Sequence, residues 1–219
     1  MITAIFFDFD GVLVESVDIK TGAFAKLFER EGEDVVKKII EYHLNNTGVS
    51  RYDKFKYIYK EILNRVLSDD EFKMLCNKFA VLVVNAVVGA PYVKGAKEFL
   101  ENYASRYQCS IVTATPQEEI ENIVQKRGTR RFFKAIYGAP TQKSDAVGFV
   151  LEKWKIKPNI ALYVGDAMSD YIAAMNNSVN FIARINNNES LFNNIQCLKV
   201  RDLSNLNTII EQYDHYRIA

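Results

Sequence analysis

What most constrains this chain is a series of short apolar runs, each closed by an acidic, hydroxyl or basic residue and separated by longer helical patterns. The first, Thr3 to Phe9 (TAIFFDF), stays apolar almost to its end, as a strand buried on both faces does. Ser110 to Thr113 (SIVT), Ala135 to Tyr137 (AIY), Ala161 to Val164 (ALYV) and Asn180 to Ala183 (NFIA) read the same way. Helical spacing fills Gln117 to Arg127, where Pro116 suits a first turn, and also Asp145 to Trp154 and Ser169 to Met175. Strands alternating with helices predict an α/β fold with a Rossmann-like parallel sheet.

The stretch from Val17 to about Val88 breaks that alternation. Thr21 to Glu31, Val35 to His43, Asp53 to Asn64 and Asp69 to Val84 carry helical patterns with no convincing strand among them. A helical subdomain inserted after the first strand is expected, with hinges at Glu15-Ser16 and Gly89-Ala90-Pro91. The division is residues 1–15 and 90–219 for the α/β core and residues 16–89 for the inserted helices. The Asn-rich stretch from Asn176 to Asn194 reads as loop and turn material without a role.

Of 219 residues, 48% are apolar, enough to bury a sizeable core. With 28 basic and 27 acidic residues the net charge is +1, which gives no electrostatic reason to expect nucleic acid or a membrane surface as partner. The basic run Lys126, Arg127, Arg130 and Arg131 is read as a solvated helix end. Cys76, Cys109 and Cys197 have neither disulfide-framework nor zinc-ligand spacing. No secretory leader is expected before the first strand, and no apolar stretch approaches the ~20 residues that span a bilayer. A cytoplasmic address is the expectation; oligomeric state is not legible.

The residues with chemical potential close the strand-like runs. In an open α/β sheet ligands bind beyond the carboxyl ends of the strands, so these positions converge. They are Asp8 and Asp10 in FFDFDGVLVES, Thr113 in SIVTATP, Lys143 in YGAPTQKSD, and Asp166 and Asp170 in LYVGDAMSD. Singly, each reads as a helix cap or a turn. Jointly, carboxylates in one crevice repel and need a cation, and an all-oxygen set selects a hard ion such as Mg²⁺.

These motifs resemble the haloacid dehalogenase-like superfamily. Its strand ending D-x-D-G matches Asp8-Phe9-Asp10-Gly11, and its G-D-x-x-x-D matches Gly165 to Asp170. Its hydroxyl and lysine motifs match Thr113 and Lys143. The inserted helices resemble the family's C1-type helical cap, as in its phosphoglycolate phosphatases and β-phosphoglucomutases. The resemblance implies a Mg²⁺-dependent phosphatase acting on a small phosphorylated metabolite, a sugar phosphate or a phosphoglycolate-like ester. Asp8 is the implied nucleophile, forming a phospho-aspartate, and Asp10 the acid/base. Mg²⁺ is implied on Asp8, on the Asp10 backbone carbonyl and on Asp166, with Asp170 orienting Lys143 or holding a bound water. Thr113, Lys143 and the backbone N–H groups near Phe9 and Ala114 are implied to hold the phosphoryl oxygens.

Two residues depart from the usual pattern. Ser144 follows Lys143 where many relatives have proline, which leaves Lys134 as a fallback at the opposite end of its strand. Glu15 stands where an aspartate is usual. In the inserted helices, Gly48-Val49-Ser50-Arg51 resembles a substrate-facing loop, in which Arg51, assisted by Ser50 and Lys54, contacts an anionic or hydroxylated group. Equally, Ser50 caps a helix with Asp53 in its first turn. His43 reads as a helix-end residue, and Phe55 and Tyr59 as one core-facing stripe.

Asp10 weighs against a dehalogenase and a transport ATPase, and no lysine in the insertion is singled out as the Schiff base that phosphonatases use. A β-phosphoglucomutase-like phosphomutase and a catalytically silent binding protein on the same fold are the alternatives. A receiver-type phospho-acceptor module fits poorly, because the first acidic strand is followed by a large helical insertion.

Overall fold

A computed structural model describes residues 1–186 and 189–216. Six strands, β1 (Ala4–Phe7), β2 (Gln108–Pro116), β3 (Ala135–Ala139), β4 (Ala161–Gly165), β5 (Asn180–Arg184) and β6 (Leu198–Val200), form one sheet in the order β3-β2-β1-β4-β5-β6. All described pairings are parallel. The chain builds outward from β1 to β3 on one side, then returns to place β4 against β1 and build the other way. The change of direction opens a crevice beside β1, beyond the strand ends. Phe7, the last residue of β1, pairs with Ile111 on one side and Val164 on the other. β2 runs on to Pro116, so Thr113 and Thr115 project past the end of β1 into the crevice.

All four residues of β1 are buried, which explains its unbroken apolar character. Ile5, Phe7 and Ile111 pack in one cluster with residues of the helices α5 (Ala96–Tyr103), α6 (Gln117–Lys126) and α9 (Leu206–Tyr216). Ala4, Phe6, Val112 and Tyr163 form the other cluster, with α7 (Lys143–Lys153) and α8 (Met168–Asn176).

Between β1 and β2 lies the expected helical block: α1 (Val17–Leu27), α2 (Glu33–Asn45), α3 (Arg51–Tyr57) and α4 (Asp69–Gly89). Ser50 caps α3, its Oγ accepting from the Asp53 N–H at 3.2 Å. Ser68 opens α4 with a capping box to Glu71. Phe55 packs on Phe24, Phe28 and Phe79 in the centre of the block, and Tyr59 lies against Phe28. At 21 residues, α4 is long and apolar enough by length and composition to cross a membrane, which corrects the reading that no stretch approaches that length. Its buried stripe of Leu75, Phe79, Val83 and Val87, at helical spacing, packs within the block.

The two chain segments joining block to sheet brace each other. Glu15 N–H donates to Pro91 O at 3.0 Å and Val93 N–H to Leu13 O at 3.1 Å. Arg184 at the end of β5 locks the first segment, donating to Glu15 Oε1 at 2.6 Å and to Gly11 O at 3.1 Å. Arg127, expected in a solvated helix end, instead donates to the carbonyls of Val87, Val88 and Ala90 at 2.7 to 2.9 Å and stacks over Tyr92. It therefore satisfies the open C-terminus of α4, where the last carbonyls have no intrahelical partner.

The Asn-rich stretch contains β5 and a short 3₁₀ turn, Glu189–Phe192, and β6 and α9 lie beyond it, unanticipated. Replacing Arg127 with Met removes the donor from the Val88 and Ala90 carbonyls, while Val87 O keeps the Ala90 N–H. The expected cost is about 2 kcal/mol, read as a lower urea midpoint with unchanged slope; an unchanged midpoint would show the guanidinium to be idle.

Candidate active site

Asp8 leaves the end of β1 buried at 4% exposure, and Lys143, the first residue of α7, reaches it from the side. Lys143 Nζ donates to Asp8 Oδ2 at 2.8 Å and to Asp170 Oδ1 at 2.6 Å. Asp170 in turn accepts from the Ala167 N–H at 3.1 Å and from the Tyr163 hydroxyl at 2.7 Å. Asp166, after β4, completes the group: one oxygen from each of Asp8, Asp166 and Asp170 lies within 4.8 Å of the others. Gly11, at φ 73°, lets the turn after β1 pass against Asp166; a Cβ there would overlap the Asp166 carboxylate. Lys134, the fallback lysine, lies exposed at the start of β3, away from the crevice.

Three buried carboxylates around one ammonium leave two negative charges unbalanced if all are ionised. Burial is the largest influence on Asp8 and outweighs the Lys143 charge, pushing its carboxyl from 3.8 up to about 7, with Asp170 and Asp10 adding to the rise. Burial, with Asp8 and Asp170 beside it, likewise raises Asp166 well above the usual range. Burial alone would lower Lys143, but Asp170 and Asp8 outweigh it and hold the ammonium charged. The donor set is all oxygen, and a divalent cation fits the missing charge.

Asp10 is held differently. Its Oδ2 accepts from Lys20 Nζ and from Thr115 Oγ1 at 2.8 Å, and its Oδ1 from Ser16 Oγ at 2.6 Å. Burial opposes ionisation there, but Lys20 chiefly, with Ser16 and Thr115, keeps the carboxyl below its ordinary value. The side chain is turned away from the three-carboxylate group. Thr113 is buried nearby, its Oγ1 accepting from the Thr115 N–H at 3.3 Å.

The helical block closes the crevice. A cavity of ≈ 30 Å³ remains, lined by Asp8, Asp10, Thr113, Ala114 and Asp166 from below and by Lys20, His43, Arg51 and Lys54 from above. That volume holds a water or two. Arg51 lies on the cavity wall, but both its terminal nitrogens pair with Glu119 at the start of α6, one at 2.9 Å. Ser50 borders a neighbouring cleft that also reaches Lys143 and Ala114. Gly48 packs so closely on Ala167 and Ser169 that a Cβ would overlap both, and its carbonyl accepts from Ser169 Oγ at 3.0 Å.

Sequence reading missed Lys20, Thr115, Tyr163 and Asn186, whose Nδ2 donates to Asp166 Oδ2 at 2.8 Å. Tyr163 had one visible signal, a lone hydroxyl in an aliphatic strand. His43 does end α2 as expected, but it is buried against Lys54 rather than solvated. Lys54, expected to assist Arg51, lies buried on the same cavity wall.

The chain matches the haloacid dehalogenase-like hydrolase family over residues 5–184, and it belongs to that family. No curated protein matches it. Among solved structures it is similar to a β-phosphoglucomutase from Clostridium difficile, with 20% identity, all of both chains covered and a TM-score of 0.80. It is similar to a predicted phosphoglycolate phosphatase from Haemophilus somnus at 19% identity, covering 95% of this chain and 97% of that one, with a TM-score of 0.75. A putative hydrolase of the family from Bacillus subtilis, bound to magnesium and described as revealing interdomain movement, shares 15% identity, covering 96% and 99%, with a TM-score of 0.71. At these identities the neighbours establish the fold.

The charge imbalance has a measurable consequence. Between its ordinary value of 3.8 and about 7, Asp8 binds more proton folded than unfolded, so stability falls as pH rises through that window. In EDTA the calorimetric unfolding midpoint is expected to drop between about pH 5 and about pH 8. Mg²⁺ should restore more of it at the higher pH, and a metal-free midpoint that climbs over this range contradicts the charge count.

Proposed function

We propose that this chain is a Mg²⁺-dependent phosphatase that hydrolyses a small phosphomonoester through a phospho-aspartate on Asp8. Residues 1–15 and 90–219 serve as catalytic core, and residues 16–89 as a cap. The observation that carries the reading is the single buried cluster of Asp8, Asp166 and Asp170 tied by Lys143. Asp8, the Asp10 backbone carbonyl and Asp166 would hold the ion, which supplies charge balance and polarises phosphoryl oxygens when bound.

Asp8 attacks phosphorus, the bond to the ester oxygen breaks, and a proton passes from Asp10 to the departing alcohol. Water then attacks the acyl-phosphate, giving its proton to Asp10 and releasing phosphate. Lys143, Thr113 and the backbone N–H groups near Phe9 and Ala114 hold the phosphoryl oxygens as charge develops. With the cap closed, Lys20, Ser16 and Thr115 keep Asp10 ionised, the state suited to the base step. For the acid step their grip must loosen. Because Lys20 sits on α1 of the cap, cap movement and the charge of Asp10 are coupled. A phosphomutase uses the same first step and passes the phosphoryl group back to an alcohol, so the neighbour's name does not separate the two.

The test is phosphate release from a panel of phosphomonoesters. Release is expected with Mg²⁺, to vanish in EDTA, and to fall at least about 10⁴-fold in Asp8→Asn. Asp10→Asn is expected to slow release by about 10²- to 10⁴-fold. Release that survives both EDTA and Asp8→Asn would sink the mechanism.

A further inference from the structure

The cations around the crevice are not alike. Lys143 is matched by Asp8 and Asp170, Lys20 by Asp10, and Arg51 by Glu119. Lys54 is 2% exposed and has no carboxylate partner among the described residues. Its Nζ meets only the His43 Nδ1, at 2.8 Å, and the face of Phe24, 5.6 Å away. When Nδ1 accepts from the ammonium, the His43 ring proton sits on Nε2. That atom is buried and without a hydrogen-bond partner. Two donors are therefore unmatched on the wall of the cavity that also exposes Asp8, Asp10 and Thr113.

An uncompensated buried cation and an orphan ring N–H are both costly, and the Phe24 ring offsets only part of that cost. The His43 ring packs on Phe24 at 4.7 Å, which accounts for the ring but not for its polar atoms. Both costs vanish if an anion enters between cap and core. We infer that Lys54 and His43 form a cap-side receptor for a second anionic group on the substrate, selecting phosphomonoesters whose alcohol part carries a carboxylate or a second phosphate. Burial and the nearby Lys20 push the Lys54 ammonium well below its ordinary value, an effect that an incoming anion offsets. Arg51, which the sequence motif put first with Ser50 and Lys54 assisting, is occupied by Glu119; Lys54 is the cation left available.

This inference rests on the phosphomonoesterase reading, and the experiment separates the two. Values of kcat/KM are measured for phosphoglycolate, ethylene glycol bisphosphate and ethyl phosphate, with Mg²⁺, on the native chain and on Lys54→Met and His43→Phe. The native chain is expected to prefer one of the two dianionic-plus substrates over ethyl phosphate, and which one identifies carboxylate or phosphate as the second group. Lys54→Met should cut that preference by about 10- to 100-fold, the size of one charge-assisted hydrogen bond, while unfolding no more easily than the native chain because a buried charge is gone. Calorimetric binding of the same esters to Asp8→Asn and Asp8→Asn/Lys54→Met reads the preference without turnover. Equal use of all three esters by the native chain overturns the receptor and leaves the phosphatase. Lack of turnover, with anion-selective binding that depends on Lys54, overturns the phosphatase and leaves the receptor. A Lys54→Met chain that is less stable and equally selective shows the lysine to be structural, and overturns it too.

Discussion

The ammonium of Lys143, held between Asp8 and Asp170, is the contact on which this molecule depends. It is buried, fixed by the first turn of α7, and charged because two carboxylates flank it. It ties the end of β1 to the first turn of α8, across the place where the sheet changes direction. Yet one positive charge cannot neutralise three carboxylates in a dry crevice, and the residual charge is what makes the site a cation site rather than a buried salt bridge. Charges retained at such a cost are poor investments in stability alone. On the proposed reading, their worth lies in holding Asp8 where it can act as the nucleophile.

Asp10 shows how the same crevice treats a carboxylate to opposite effect. Two residues from Asp8, it is surrounded by donors and held ionised, while Asp8 is pushed toward neutrality. Separating the two in this way assigns them different work. One of those donors, Lys20, belongs to the inserted helices. The block also grips the core through Arg51 on Glu119 and Gly48 on Ser169, and it hangs on two linkers that brace each other and are anchored by Arg184 and Arg127. The long helix α4 also packs against α6 of the core. On the proposed reading, breaking the Lys20 contact as the block moves would change the charge of Asp10.

Much of this was legible in the sequence. The strands of a doubly covered parallel sheet are apolar throughout, so TAIFFDF and ALYV announce themselves, and the acidic residues that end them stand out against that background. The family resemblance rests on those residues, and the family match carries it across most of the chain. What failed to show has physical reasons. β6 is a short edge strand with Leu198 and Lys199 exposed, so it has no buried run to betray it. Asn186 sits in an Asn-rich stretch that composition marks only as loop. Arg127 looks like any surface arginine until α4 ends beside it. Lys54 and His43 lie on separate helices, eleven positions apart, and only packing reveals that each lacks a carboxylate. Arg51 presents a substrate motif, but its partner Glu119 is 68 positions away, beyond any local pattern.

The most direct test of the central claim, that the Asp8, Asp166 and Asp170 cluster carries unbalanced charge made good by one divalent cation, is a calorimetric titration of the metal-free chain with Mg²⁺ near neutral pH in buffers of different ionisation heat. Carboxyls held partly protonated by burial must ionise when the cation arrives. The account predicts one Mg²⁺ per chain with net proton release, and release that diminishes as the pH is raised above the Asp8 value of about 7. Binding without proton release, or no binding by the folded chain, would contradict it.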